Sequence, residues 1–92
     1  MNKAFRISIR GYDDDDGTGI WIAETASKAK AKCNRAMNAL GICCTFADLR
    51  CHRTPEYDAW AIAQPKHRQA HGIIERYVKI ELQEIANRMN NL

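Results

Sequence analysis

The sequence predicts one α+β domain, in which a three-stranded, mainly antiparallel sheet packs on helices and a long helix ends the chain. Three observations support this fold class. Short stretches near the N-terminus and in the middle of the chain alternate apolar and polar residues with the period of a strand. A stretch with helical spacing of apolar residues lies between them, and the segment after Pro65 contains no further proline. The predicted element order is ββαβαα.

The composition is that of a small globular protein. The chain has 92 residues, of which 46% are hydrophobic and 27% are charged, so it does not belong to the intrinsically disordered class. A chain this short buries only about 60 to 65% of its unfolded surface, which leaves little room for a secluded active site. There is no apolar run of membrane-spanning length and no signal-peptide core near the N-terminus. We therefore expect a cytoplasmic protein.

Three strands are predicted. In the first, residues 4–10, apolar and polar side chains alternate and separate onto two faces. The second covers residues 20–23, with Ile20 and Ile22 on one face and Trp21 on the other. The third covers residues 47–52. The apolar side of the first strand carries Phe5, Ile7 and Ile9, and its polar side carries Arg6, Ser8 and Arg10.

Three helices complete the prediction. The first runs over residues 26–40 between a Thr25 N-cap and Gly41 as the left-handed residue after its end. A short helix is predicted at residues 56–63, although residues 59–63 also alternate as an edge strand would. A long helix follows over residues 66–89. Its main apolar stripe is Ile74, Val78, Leu82, Ile85 and Met89, and a second row is Ile73, Tyr77 and Ile80.

The apolar arc of the long helix is wider than contact with one sheet requires. The excess surface either covers the first helix or binds a second copy of the chain, so a homodimer through the C-terminal helix is one expectation. The four cysteines, with no secretory signal, indicate reduced thiols rather than a disulfide framework. They are Cys33, Cys43, Cys44 and Cys51.

Two clusters suggest metal chemistry, but neither has a complete motif. A run of four aspartates lies in the connection between the first two strands, where the glycine and glutamate of a calcium loop do not fit. His67 and His71 are four residues apart in the predicted long helix, a spacing found in helical zinc sites, and Cys51 with His52 would have to complete the ligand set. We predict no metal, no cofactor and no catalytic residue. The aspartates, Asp13, Asp14, Asp15 and Asp16, are instead interpreted as an acidic finger that docks on a partner.

Cationic side chains suggest two binding surfaces. One is the sheet face opposite the helices, because arginine binds carboxylates and phosphates and an aromatic ring beside it can anchor an interface. The other is a stripe on the first helix, formed by Lys28, Lys32 and Arg35, that could contact DNA or RNA. The alternative for the helix stripe is a solvated helix face. The alternative for the sheet face is that arginine stems cover an exposed sheet while Trp21 packs beneath Trp60 or the long helix. The predicted sheet face consists of Arg6, Ser8, Arg10, Trp21, Arg50 and His52.

Residues 21–30, 48–50 and 53–58 together resemble a pattern seen in small proteins of phages and prophages. The resemblance implies a phage or prophage setting, in which small accessory proteins, including anti-CRISPR proteins, act by occupying a surface of a host machine. Together with the small size, the lack of a catalytic motif and the two opposed charged features, it leads us to expect a non-enzymatic protein of the host cell cytosol that inhibits a host defence nucleoprotein complex. Two alternatives stay open on the residues alone. One is a small nucleic-acid-binding regulator, and the other is a zinc-dependent interaction module.

Overall fold

The computed structural model describes residues 1–11, 17–42 and 44–90, and it confirms the predicted α+β class and element order. Cys43 and the predicted acidic finger, Asp13 to Asp16, lie outside the described residues. The strands are Lys3–Ile9 (β1), Ile20–Ala23 (β2) and Leu49–Arg53 (β3). The α-helices are Ala26–Ala39 (α1), Asp58–Ala63 (α2) and Glu75–Asn90 (α3), and short 3₁₀ turns occupy Phe46–Asp48, Pro55–Tyr57 and Arg68–Ala70.

The sheet has the strand order β2-β1-β3, with both pairings antiparallel. The central strand pairs Phe5 with Trp21 on one side and Ile7 with Cys51 on the other. Because side chains directly opposite each other in a sheet share a face, this register fixes which residues point together. Trp21 therefore lies on the apolar face of β1, with Phe5.

The prediction that Trp21 shares a face with the arginines is wrong. Its side chain is 1% exposed, and its Nε1–H donates to the Thr18 hydroxyl at 2.9 Å. The sequence alone does not show which face of the sheet Trp21 occupies. The connection between the two strands is long, and its geometry decides which residues of β1 and β2 lie opposite each other. A one-residue change of register would have moved Trp21 to the other face.

Helices cover both faces of the sheet, which corrects the expectation of one free face. The first core lies between the sheet and α1, and the second between the sheet and the pair α2 and α3. Buried residues of the first core include Phe5, Ile7, Trp21, Ala29 and Cys33. Those of the second core are Ala4, Ile20, Ile22, Tyr57, Trp60, Ala61 and Val78.

The first helix ends as the sequence predicts. The Thr25 hydroxyl accepts a hydrogen bond from the Lys28 N–H at 3.2 Å, which satisfies one of the free donors of the first turn. Gly41 has a φ of +81° just after the helix, a conformation that disfavours residues with a Cβ atom. The predicted short helix is also confirmed at residues 58–63, so the edge-strand alternative is excluded.

The third strand begins two residues later than predicted. The Asp48 carboxylate accepts hydrogen bonds from the Thr45 N–H at 2.9 Å and from its hydroxyl at 3.0 Å. The Asp48 N–H donates in turn to the Thr45 carbonyl at 3.0 Å. These local bonds favour a 3₁₀ turn over an extended chain, so Ala47 and Asp48 do not belong to the strand.

The long helix begins at Glu75, nine residues later than predicted. Ile73 instead pairs with Ile20 on the outer edge of β2, with N–H to carbonyl distances of 2.7 and 3.0 Å. Gly72 makes this approach possible, because a Cβ atom there would lie 2.4 Å from the Thr18 carbonyl oxygen and 2.6 Å from the Trp21 ring. Extended pairing with β2 thus replaces the first turns of the predicted helix.

The two apolar rows of α3 have different environments. In the main row Val78 is buried, and Leu82 and Ile85 pack against the second core. Met89 is 69% exposed, so the prediction that the packed stripe extends to the end of the helix is wrong. Tyr77 and Ile80 of the second row are exposed, and the homodimer through this row stays a prediction. None of the helices in the described part of the chain combines the length and the apolar character that crossing a membrane requires.

Trp21→Ala tests the corrected position of this ring. Removing a fully buried tryptophan should lower the free energy of unfolding by about 3 to 5 kcal/mol, because contacts are lost and a cavity remains. Phe46, which is 43% exposed, provides the control, and Phe46→Ala should cost less than about 1 kcal/mol. Urea unfolding followed by circular dichroism measures both. Similar small losses for the two variants would contradict the buried position.

Candidate binding surface

Part of the second sheet face remains uncovered. The register pairs Arg6 with His52 and Ser8 with Arg50, and Arg10 continues it by donating its N–H to the Asp48 carbonyl at 2.7 Å. These residues share the face that α2 and α3 cover at its other end. Arg10, Arg50 and His52 are exposed, and we call these three side chains the basic strip.

Arg6 lies where the basic strip meets the second core, and its side chain is bonded to another residue of the chain. Its guanidinium forms an ion pair with Glu75, and the Tyr57 hydroxyl donates to the same carboxylate oxygen at 2.8 Å. Part of the hydrogen-bonding capacity of Arg6 is thus used within the fold. Arg6 therefore joins α3 to the sheet, whereas sequence reasoning placed it among the residues that bind a partner.

The Glu75 cluster shifts the pKa values of its members in the directions that its contacts require. Burial alone would raise the pKa of Glu75, but hydrogen bonds from Arg6 and Tyr57 outweigh it and lower that pKa. Burial and the bond to the Glu75 carboxylate raise the pKa of Tyr57 to about 12. Both groups thus keep their ordinary charge states at neutral pH, which suits a structural connection.

The basic strip differs from the Glu75 cluster in its ion pairing. Within the described residues, neither Arg10 nor Arg50 forms an ion pair with a carboxylate. The acid nearest in the register, Asp48, is bonded to Thr45, and the backbone N–H and hydroxyl of Thr45 lower its pKa. Among the described residues, Arg10 and Arg50 thus keep their hydrogen-bonding groups for an anion.

The predicted helix stripe is less uniform than the sequence suggested. Lys28 forms an exposed ion pair with Glu24, one turn away, at 3.2 Å. Lys32 turns inward and donates to the carbonyls of Ile22 at 2.7 Å and Gln69 at 3.1 Å. Burial lowers the pKa of Lys32, and the nearby charge of Arg35 lowers it further. Only Arg35 of the three predicted residues is exposed without an ion pair in the described chain.

The predicted helical histidine pair is not formed. His67 precedes a 3₁₀ turn with helical backbone angles, whereas His71 is extended with φ −127° and ψ 152°. Cys51 and His52 are neighbours in a strand, so their side chains point to opposite faces of the sheet. In the residues that the structure describes, no group of three or more His, Cys, Asp or Glu side chains could hold a metal ion.

The described cysteines, Cys33, Cys44 and Cys51, are free thiols in this structure. All three lie in or against the first core. Burial raises the pKa of Cys33 and of Cys51, so both favour the protonated form at neutral pH. Their positions indicate packing rather than nucleophilic chemistry.

The outer edge of β3 is a second part of the candidate surface, and sequence reasoning did not identify it. β3 lies at the end of the sheet, beside β1 only. Its side chains Arg50, His52 and Arg53 are exposed. Arg53 differs from the basic strip because it forms an ion pair with Asp58. The sequence predicted the strand itself, but strand order, which makes it an edge, depends on the long-range pairing with β1.

An apolar groove of about 390 Å³ lies between the 3₁₀ turn Arg68–Ala70 and α3. Its walls include Ile73 and Ile74, which precede α3, and Tyr77 and Ile80 on the exposed side of that helix. An ion pair between Arg68 and Glu81 closes one side. Apart from Arg68 and Glu81, the groove is lined mainly by apolar side chains.

Comparison of this chain with protein-family models, curated proteins and solved structures gave no match. The functional assignment therefore depends on the charge and geometry of the described surface. The features that matter most are the basic strip and the outer edge of β3, which adjoin each other.

Glu75→Gln tests the connection between α3 and the sheet. At neutral pH the variant should lose about 1 kcal/mol of stability, since the ion pair is partly screened by solvent. The pKa of Glu75 is lower in the folded than in the unfolded protein, so its contribution is present above the unfolded value of about 4.5 and disappears as the pH falls through the folded value. Urea unfolding should show a larger loss of stability at pH 7 than at pH 3. Glu84→Gln, at an exposed position of α3, is the control.

Lys32→Ala tests whether this residue stabilises the fold rather than binding a partner. Loss of two hydrogen bonds from a charged donor to partly buried carbonyls should lower the free energy of unfolding by about 1.5 to 3 kcal/mol. Arg35→Ala, on the exposed side of the same helix, should change it by less than about 0.5 kcal/mol. Thermal and urea unfolding give both values, and equal effects would reject the structural role of Lys32.

Proposed function

We propose that this protein is a non-enzymatic binding protein that covers an acidic surface of its partner with the basic strip. The observation that carries this proposal is the contrast among its cations. Arg6, Arg53 and Arg68 each have an internal carboxylate partner. Arg10 and Arg50, grouped on one uncovered sheet face, have none within the described residues.

The geometry of the strip favours carboxylate or phosphate ligands. Arg50 lies on β3 and Arg10 continues β1, so neighbouring strands about 4.8 Å apart present their guanidinium groups on the same side. Each guanidinium is a planar fork that can hold an anion through two hydrogen bonds. A partner that brings negative charge relieves the repulsion between these cations and gains their attraction.

The resemblance of residues 21–58 to small phage and prophage proteins supports a particular partner class. It favours a host defence nucleoprotein complex, such as a CRISPR effector, in the cytosol of the host cell. In this proposal the protein acts stoichiometrically, by occupying a surface, and uses no cofactor. The acidic finger, Asp13 to Asp16, would add a second contact with a basic part of the same complex.

Charge reversal of the strip tests the proposal. The double variant Arg10→Glu/Arg50→Glu should lose inhibition in a plasmid-interference assay in cells that carry CRISPR effectors, because the acidic partner surface now repels it. The control variant Lys28→Glu/Arg35→Glu makes the same change of net charge on α1 and should keep inhibition. Circular dichroism and urea unfolding establish that both variants are folded.

The same experiment separates the alternatives. Equal loss in the two variants would indicate a response to total charge, and full activity of the strip variant would reject the strip. If the wild-type protein inhibits none of the CRISPR effectors in this assay, the proposed partner class is rejected. Binding to DNA or RNA whose affinity falls steeply with salt would assign the strip to nucleic acid instead, since phosphate contacts release counterions.

A further inference from the structure

We infer that the outer edge of β3 receives an extended acidic segment of a partner protein, which adds a fourth strand to the sheet. This inference deepens the proposed function and rests on it, because it states how the acidic partner is held. Addition of a strand to an open sheet edge uses backbone hydrogen bonds for affinity and neighbouring side chains for selectivity.

The hydrogen-bond phase of the sheet shows which backbone groups point outward. The Thr54 N–H donates to the Ala4 carbonyl at 3.0 Å, and the Arg10 N–H donates to the Asp48 carbonyl at 2.7 Å. In an antiparallel ladder, alternate residues of a strand face the same neighbour. The even-numbered residues of β3 therefore bond to β1, and the odd-numbered residues direct their N–H and carbonyl groups to the outer edge.

The outward backbone groups of Cys51 and Arg53 have no hydrogen-bond partner in the described part of the chain. Leu49 differs, because its N–H donates to the Phe46 carbonyl in the preceding 3₁₀ turn. The open edge thus begins at the Leu49 carbonyl and continues through Arg53. Every second residue of this edge directs its backbone N–H and carbonyl outward, which is the spacing needed to pair with another strand.

The opposite edge of the sheet is closed, which makes the open edge specific to β3. Ile73 pairs with Ile20 along the outside of β2. On the same edge, the Lys32 ammonium donates a hydrogen bond to the Ile22 carbonyl oxygen at 2.7 Å. Exposed edges invite association, and folded proteins usually cover or interrupt them. Here one edge is covered by the chain itself and the other is left accessible.

The side chains beside the open edge select for negative charge on one face. Arg50 and His52 flank the edge on the uncovered face, with Arg10 beyond them. On the other face the edge carries half-buried Cys51 and exposed Arg53, and the Arg53 guanidinium is already paired with Asp58. Side chains of an added strand alternate between the faces, so the matching sequence alternates acidic and apolar residues.

A second copy of this chain is a poorer occupant of the same edge. Antiparallel pairing of two β3 strands about Cys51 would place Arg50 of one copy opposite His52 of the other. Both basic strips would then adjoin on one face. Arg10 and Arg50 of one copy would lie on the same face as those of the other, and like charges close together destabilise a sheet. The charge pattern therefore favours an acidic strand from another protein.

The inference is tested with a peptide rather than with the unidentified partner. The probe is a capped heptapeptide, Val-Glu-Val-Glu-Val-Glu-Val, titrated to millimolar concentration against isotope-labelled protein and followed by NMR. The amide signals of Cys51 and Arg53 should shift, and their hydrogen exchange should slow about fivefold to tenfold at saturation, as expected for one new hydrogen bond each. The amides of Arg50 and His52 already bond to β1 and should keep their protection.

Two matched controls determine the role of charge. The same peptide with Lys in place of Glu should not bind the wild-type protein. The Arg10→Glu/Arg50→Glu variant should bind the Lys peptide and lose the Glu peptide. Exchange that stays fast at Cys51 and Arg53, equal binding of the two peptides, or no binding of the Glu peptide would overturn the strand addition. A protein that binds the Glu peptide at this edge but fails in the interference assay would retain the edge site and reject the proposed partner class.

Discussion

The pairing of Ile73 with Ile20 is the constraint on which the rest of the structure depends. It holds the chain extended at the point where helical periodicity would continue, so α3 begins only at Glu75. That starting point lets the Glu75 carboxylate reach Arg6 and the Tyr57 hydroxyl. The pairing also needs Gly72 against the Trp21 ring, where a Cβ atom would lie 2.6 Å from a ring carbon. One two-residue bridge thus links the two cores of the sheet.

The uncovered surface follows from how these contacts distribute the helices. α2 and α3 pack over β2 and the neighbouring part of β1, where Ala4, Ile20 and Ile22 are fully buried. The connection from β3 to α2 stays close to the start of β1. There Arg53 and Asp58 form an ion pair, and both side chains bond to the Ala4 backbone. The far part of the same sheet face is left to side chains that solvent can reach. The basic strip is therefore a consequence of where the helical layer stops.

Sequence reasoning predicted correctly those features of the fold that depend on neighbouring residues in the chain. The Thr25 cap, the Gly41 turn and the alternation in β1 depend on near neighbours, and all three were correct. The face of Trp21 was wrong, because it depends on the register across a long connection. The start of the long helix was wrong because pairing with a distant strand outweighed helix propensity there, although two β-branched residues after Gly72 were a local signal. Of the candidate site, the exposed side chains Arg10, Arg50 and His52 were identified from the sequence. The open edge could not be identified, because it depends on the order of the strands in the sheet.

Basic side chains beside an edge strand have another use, since charge on an edge discourages aggregation. The distribution here argues for docking in addition. Arg50 and His52 stand on one face only, and side chains perpendicular to the sheet leave the in-plane approach to the Cys51 backbone open. A cation that blocks an edge points toward the backbone groups of that edge. Lys32 does so at β2, where its ammonium donates to the Ile22 carbonyl. The same chain thus uses a lysine to close one edge, while at the other it places its cations where they repel a basic strand and attract an acidic one.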